Sequence, residues 1–237
     1  MQVLGNQQSP VKIVTAESCY VDFGSAYIQF HYSKPLSGKF GGANFSFDPP
    51  RTNADKTPWS ISVGGTAWVI RKVHIHKAAE HLLDSSKPKP FECHLVHSAA
   101  DDPDGKGDKL VIGVFTVPRA TAMEKSSIKL LNEKLGTARA SKVTPACETV
   151  HDLDPRDFLP PSDKRTDWYR YEGSLTSWPY TEDVSWIVMR DDASVVAAHF
   201  DEIAKCAEQD ERPVQPLNRR FVLRSFQRAA KLLKQTK

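Results

Sequence analysis

Short runs in which apolar and polar positions alternate, or in which apolar residues stand unbroken, recur along the chain: VKIV, YIQFHY, ANFSF, AWVIRKVHIH, FECHLVH, KLVIGVFTV, VSWIVM and RFVLRSF. Alternation with a period of two marks a strand with one buried face, and short unbroken apolar runs suit strands buried on both faces. Between them lie clusters of Gly, Pro, Asp and Ser, such as DPPRTNADKTPWS and SAADDPDGKGDK, which punctuate the chain as turns and loops. Two segments switch to helical spacing. One is MEKSSIKLLNEKL, with Ile128, Leu131 and Leu135 on one side. The other is SVVAAHFDEIAKCAEQ, with a predicted cap near Ser194 and with Val196, Phe200, Ile203 and Ala207 on one side. No repeat, low-complexity segment or clean boundary interrupts the pattern, so one domain is expected over residues 1–237.

The last stretch, RRFVLRSFQRAAKLLKQTK, carries seven basic residues and no acidic one. It reads as a final strand followed by a basic, helical tail at about 227–237, solvated or docked on the domain. The alternative is contact with an acidic partner or an anionic membrane surface.

Composition narrows the class. A chain of 237 residues buries a full core without disulfide or metal staples. A net charge of +3 is too mild to argue for nucleic acid. No apolar run approaches the roughly 18 residues of a transmembrane helix. MQVLGNQQSP lacks the apolar centre of a secretory signal. The expectation is a cytoplasmic protein if Met1 is the native start, and a secreted or periplasmic one if a signal peptide has been removed. The four cysteines show no metal-type spacing. Cys93 and Cys206 sit in apolar patterns and read as buried thiols, whereas Cys19 and Cys147 are open to pairing.

Residues 73–97, VHIHKAAEHLLDSSKPKPFECHLVH, hold five of the eight histidines. Side chains two apart on a strand share a face, so His74 and His76 project together. FECHLVH reads as a following strand, and an antiparallel neighbour can bring His94 beside the pair. Three imidazoles leave a fourth tetrahedral position open, as in catalytic zinc sites. Glu92, two before His94 and on the same face, is placed to orient an imidazole through its second nitrogen. His81 and His97 read as structural histidines. The residues by themselves carry the argument to a candidate zinc site on a sheet.

Further blocks extend it. GNQQSPVKI, VHIHKAAEH, ECHLVH, LVIGVF, YRYEGSLTSWPYTEDVSWIVM and RPVQPLNRR, in this order over residues 5 to about 226, resemble the α-class carbonic anhydrases. The resemblance implies a mainly β (α+β) single domain. It would be built around a large twisted, mostly antiparallel sheet with a few peripheral helices, with zinc at the bottom of a conical cleft. It implies reversible hydration of carbon dioxide to bicarbonate and a proton by zinc-bound hydroxide. By the same resemblance His74, His76 and His94 would bind zinc and Glu92 would support His94. Thr176 would accept a hydrogen bond from the hydroxide and donate one to Glu80. Val96, Val111, Leu175 and Trp186 would form the apolar wall for carbon dioxide, and Ser177 would line the polar side. The alternatives are a weak or inactive binding protein on the same fold and a zinc esterase. Retention of all three histidines favours the hydratase.

Several positions depart from the family pattern. The segment before QSP is short. Gly41 stands where many fast members carry a histidine proton shuttle, and the nearby Lys39 titrates too high in its free form to replace it. Lys72 takes the place of a glutamine beside the first zinc histidine, and is expected to turn outward. Trp178 replaces a proline and is expected to narrow the entrance.

Overall fold

The computed structural model describes residues 5–33, 35–41, 44–47, 59–102, 106–140, 148–207 and 211–227. The first strands are short: β1 (Lys12–Ile13), β2 (Cys19–Tyr20), β3 (Ile28–Phe30), β4 (Leu36–Gly41), β5 (Asn44–Phe47) and β6 (Ser60–Val63). The long ones follow: β7 (Thr66–His76), then the two-residue β8 (Leu82–Leu83), β9 (Phe91–Ala99) and β10 (Lys109–Arg119). The remainder are β11 (Glu148–Leu153), β12 (Trp168–Gly173), β13 (Val184–Met189), β14 (Ala193–Val196) and β15 (Leu223–Arg224). Thirteen of them form one sheet whose main path runs β11-β4-β5-β7-β9-β10-β13-β12-β15-β2. Most pairs are antiparallel, and β10 is the strand that pairs in parallel with β13 and β14. The expected mainly β architecture with a large, mostly antiparallel sheet is the one observed.

The central strands are covered on both faces, and their side chains alternate between two cores. Val73, Ile75, Cys93, Leu95, Ile112, Val114 and Ile187 point into one core. Val111, Phe115, Val184, Trp186 and Val188 point into the other, with Val96 and Leu175 packed against it. The first core is closed by helix α1 (Ser126–Ala140), which buries Ile128, Leu131 and Leu135 at helical spacing. Asp157 Oδ2 accepts from Ser127 N at 2.8 Å and ties down the start of that helix. With one face of the central strands under α1, the chemistry is left to the other. Among the described residues, no helix is long and apolar enough to cross a membrane.

The second predicted helix is largely corrected. Ala193–Val196 is strand β14, running parallel to β10 with Val117 opposite Ser194, so Ser194 is not a helix cap. The β-branched pair Val195–Val196 favours a strand where a free edge is on offer. A turn of 3-10 helix follows, then α2 (Asp201–Cys206). Its first amides, Glu202 N and Ile203 N, donate to Asn132 Oδ1 of α1 at 2.8 and 3.3 Å, so the cap comes from a distant helix. Val222 and Phe226 are buried in the second core. The expected tail lies, but for Gln227, outside the described residues, as does Cys147. Cys19 is an exposed free thiol, Cys93 is buried and Cys206 half-buried.

Candidate metal centre

Strand β7 carries His74 and His76 on its second-core face because Val73 and Ile75, 0% and 1% exposed, claim the other. A register shift between Ile70 and Lys72 precedes this stretch, after which pairing with β9 is regular. His74 then stands directly opposite His94, and His76 opposite Glu92. The three imidazoles converge, with ring centroids 4.8, 5.0 and 4.8 Å apart. His94 Nδ1 and His74 Nε2 are 3.3 Å apart. Two nitrogens bound to one tetrahedral zinc at about 2.0–2.1 Å stand about 3.3–3.4 Å apart, so this edge has the length a zinc ion requires. His76 is 3% exposed, and its Nε2 lies 3.5 Å from Glu80 Oε2. The donor set fits a zinc ion.

Protonation supports the same reading. Burial, then the charges of His94, His76 and Lys72, push the His74 imidazole well below its usual range, with Glu92 opposing. A neutral ring has a lone pair to give. Glu92 decides which nitrogen of His94 is free. Its carboxylate is fully buried and lies 3.1 Å from His94 Nε2, leaving Nδ1 toward His74. The same carboxylate accepts from His81 N at 2.8 Å and meets His81 Nδ1 at 2.7 Å. Burial would raise the Glu92 carboxyl, but the charges of His81 and His94 and the hydrogen bonds from both outweigh it and hold it well down. Glu92 therefore stays an anion that fixes two histidines, not one.

From His81 the contacts run on through the buried interior. His81 Nε2 meets Tyr171 Oη at 2.7 Å, and Tyr171 donates to Ser9 Oγ at 2.9 Å. Ser9 and Ser174 exchange hydrogen bonds at 2.9 and 3.0 Å, and Trp186 Nε1 donates to Ser174 O. The N-terminal QSP segment is thereby joined to the GSLT turn. Tyr171, Ser9 and Ser174 lie within the quoted blocks, yet nothing in a linear pattern tells a bridging hydroxyl from an ordinary one.

Thr176, 9% exposed, sits on that turn and hydrogen-bonds Glu80, whose carboxyl burial raises; the His76 charge, Thr176 and the Arg212 amide oppose the rise. Arg212 N donates to Glu80 Oε1 at 3.0 Å, while Oε2 lies 3.5 Å from His76 Nε2 and 3.9 Å from His94 Nδ1. Arg212 was not singled out among the sequence candidates. Val111 and Trp186 are buried, Val96 and Leu175 partly buried, and all four share one cluster. Trp186 stands edge-on to His94 at 4.9 Å. Ser177 is exposed, and Trp178 is 79% exposed.

The departures also find their places. Gly41 pairs with Asn44, which pairs with His74, so an exposed glycine lies two strands, about 10 Å, from the first histidine. Lys72 is half-buried on the histidine face of its strand, and its charge lowers the His74 pKa.

Comparison with known proteins agrees with this geometry. The sequence model of the family described as eukaryotic-type carbonic anhydrase matches residues 2–226. "Alpha carbonic anhydrase 3" of Arabidopsis thaliana is 27% identical over 222 residues, 92% of this chain and 74% of that protein. "Carbonic anhydrase 7" of Mus musculus is 28% identical, covering 94% of this chain and 90% of that protein. The α-carbonic anhydrase of Thermovibrio ammonificans, solved with the inhibitor sulfanilamide, superposes with a TM-score of 0.67 at 25% identity, covering 92% and 87% of the two chains.

Proposed function

This chain belongs to the eukaryotic-type carbonic anhydrase family, and from that premise we propose that it interconverts carbon dioxide and water with bicarbonate and a proton at a zinc ion held by His74, His76 and His94. The observation that carries the reading is the convergence of three imidazoles, His76 and His94 buried and His74 half-buried, with one pair of nitrogens 3.3 Å apart. Zinc so held lowers the pKa of a bound water from about 15.7 to about 7, the established chemistry of carbonic anhydrases.

The chain's own residues do the rest. Glu92 keeps the proton of His94 on Nε2, so Nδ1 faces the site. Glu80, anchored by the Arg212 amide, accepts the Thr176 proton. The Thr176 oxygen is then left as an acceptor, which turns the attacking oxygen's lone pair toward the substrate. Val96, Val111, Leu175 and Trp186 offer a neutral, linear molecule an apolar shelf, which is positioning and not strong binding. Ser177, exposed beside Thr176, lines the polar rim. Gly41 cannot relay a proton, so proton export passes to buffer.

Zinc analysis with stopped-flow hydration tests the reading, with His94→Ala as the control. One zinc per chain and measurable hydration are expected for the native protein. His94→Ala should retain less than about a tenth of the zinc and lose hydration by a factor of 100 or more. A zinc-free, inactive native protein sinks the proposal in favour of a binding role.

A further inference from the structure

A cavity of about 850 Å³ lies past the end of β10, with Arg119, Lys125, Arg156, Asp157, Pro160 and Arg165 among its walls. Arg119 is six residues beyond Gly113, the residue opposite His94. That is about 20 Å along an extended strand, so the cavity is separate from the histidines. The loop over residues 154–165 turns carbonyls onto two cations. Lys125 Nζ donates to Asp157 O and Leu159 O, both at 2.7 Å, and Arg165 Nε donates to Pro160 O at 2.7 Å. Among the described residues, neither cation forms an ion pair with a carboxylate. The two carboxylates whose charges reach Lys125 are committed elsewhere. Asp154 is held through both oxygens by Arg156, and Asp157 accepts from Ser127 N at 2.8 Å.

Lys125 is half-buried. Burial pulls its pKa down to about 8 and Arg165 adds to the fall, while Asp157, Cys93 and Asp154 oppose it. An ammonium has three N–H groups, whereas a neutral amine has two and a lone pair. The two carbonyls match the two N–H groups of the amine and leave its lone pair uncommitted. We propose that Lys125 is a carbamylation site, at which dissolved carbon dioxide adds reversibly to Nζ and the new carboxylate is held by Arg165. The Nζ lone pair attacks the carbon, a C–N bond forms as one C=O pair moves onto oxygen, and the nitrogen releases one proton to water. Nothing is oxidised or reduced. The adduct is negative where the ammonium was positive, so repulsion by Arg165 becomes attraction. The remaining N–H stays on Leu159 O, and Asp157 O, on the cavity wall, is left to solvent.

The site does not depend on the zinc reading above, since dissolved carbon dioxide reaches it without catalysis. Native protein, Lys125→Arg, Arg165→Gln and His94→Ala are equilibrated with isotopically labelled bicarbonate and carbon dioxide near the Lys125 pKa of about 8. Carbamates are trapped by ethylation with triethyloxonium and located by peptide mass, because the chain's α-amino group titrates at about 7.7–8.0 and forms an adduct of its own. Label on the Lys125 peptide is expected in the native protein and, undiminished, in His94→Ala. Lys125→Arg, which keeps donors for both carbonyls, should lose it. Arg165→Gln should lower the occupancy by about tenfold through loss of the counter-charge. Zinc content and hydration, measured on the same samples, report on the hydratase reading separately. A native protein labelled only at its α-amino group overturns the site, and undiminished label in Arg165→Gln overturns the role of Arg165.

Discussion

His97 is fully buried, with Nδ1 3.2 Å from Leu110 O and Nε2 against the Tyr32 hydroxyl. This arrangement uses a neutral ring, one nitrogen donating and the other accepting. Burial pushes its pKa down to about 4, against backbone hydrogen bonds that raise it. The unfolded chain protonates near 6.5, so below that pH it takes up a proton the folded state refuses. Stability from His97 is complete above about pH 6.5 and is lost as pH falls toward 4, by about 2 kcal/mol between pH 7 and 5. Urea unfolding at both pH values, compared with His97→Gln, should show a flatter dependence in the variant; parallel curves would remove His97 as the cause. At Gly41 the expected effect concerns rate. Hydration by the native protein should be limited by buffer and rise when imidazole is added. Gly41→His should raise turnover in dilute buffer on the order of tenfold. High turnover already present in dilute buffer, insensitive to imidazole, contradicts this. At this scale the sequence is most legible where spacing and residue type coincide. His74, His76 and Glu92 were readable because a strand's period of two places them. The second duty of Glu92, on His81, was not readable, because it depends on where a loop returns.

Strand β10 shows what an element contributes without supplying a ligand. Gly113 stands opposite His94, and a Cβ there would lie 2.7 Å from Glu92 Oε1. The carboxylate cannot move aside cheaply, since His81 and His94 hold it. Gly113→Ala should therefore cost about 1–3 kcal/mol in unfolding. It should also weaken zinc binding by tenfold or more through the displaced His94. Urea unfolding and zinc competition measure the two separately, and an unchanged zinc affinity would show that the space under Glu92 is not needed. In the sequence this glycine reads only as part of LVIGVF, an apolar run. The long strands β7, β9 and β10 were legible from such runs. The edge strand β11 was not, because its partner β4 lies about a hundred residues earlier in the chain, and the short β4 and β6 were not, because four to six residues with few apolar positions do not stand out as a pattern. The misread segment 194–209 has the same origin. Its helical spacing is real over Ile203 to Ala207, but an open edge of β10 competes for Ala193–Val196 and takes them.

The whole molecule, and not one loop, positions the three histidines. They sit on two adjacent long strands, packed between two cores, with Glu92 locked through His81, Tyr171 and Ser9 to the GSLT turn. Such a site is made by the fold, unlike small zinc domains that fold only around their metal. Metal removal should therefore leave the sheet and its aromatic packing in place while lowering stability. Binding to the native state alone stabilises by mass action, about 4 kcal/mol at a free zinc concentration a thousand times the dissociation constant. After chelation, near-ultraviolet circular dichroism from Trp186 and its neighbours should persist at 25 °C. The melting temperature should drop and climb back as zinc is titrated in. His94→Ala should keep the dichroism and lose the zinc-dependent rise. A chelated protein that loses its near-ultraviolet signal at 25 °C would mean that the metal builds the site, and that the convergence of His74, His76 and His94 is a product of zinc and not of the sheet.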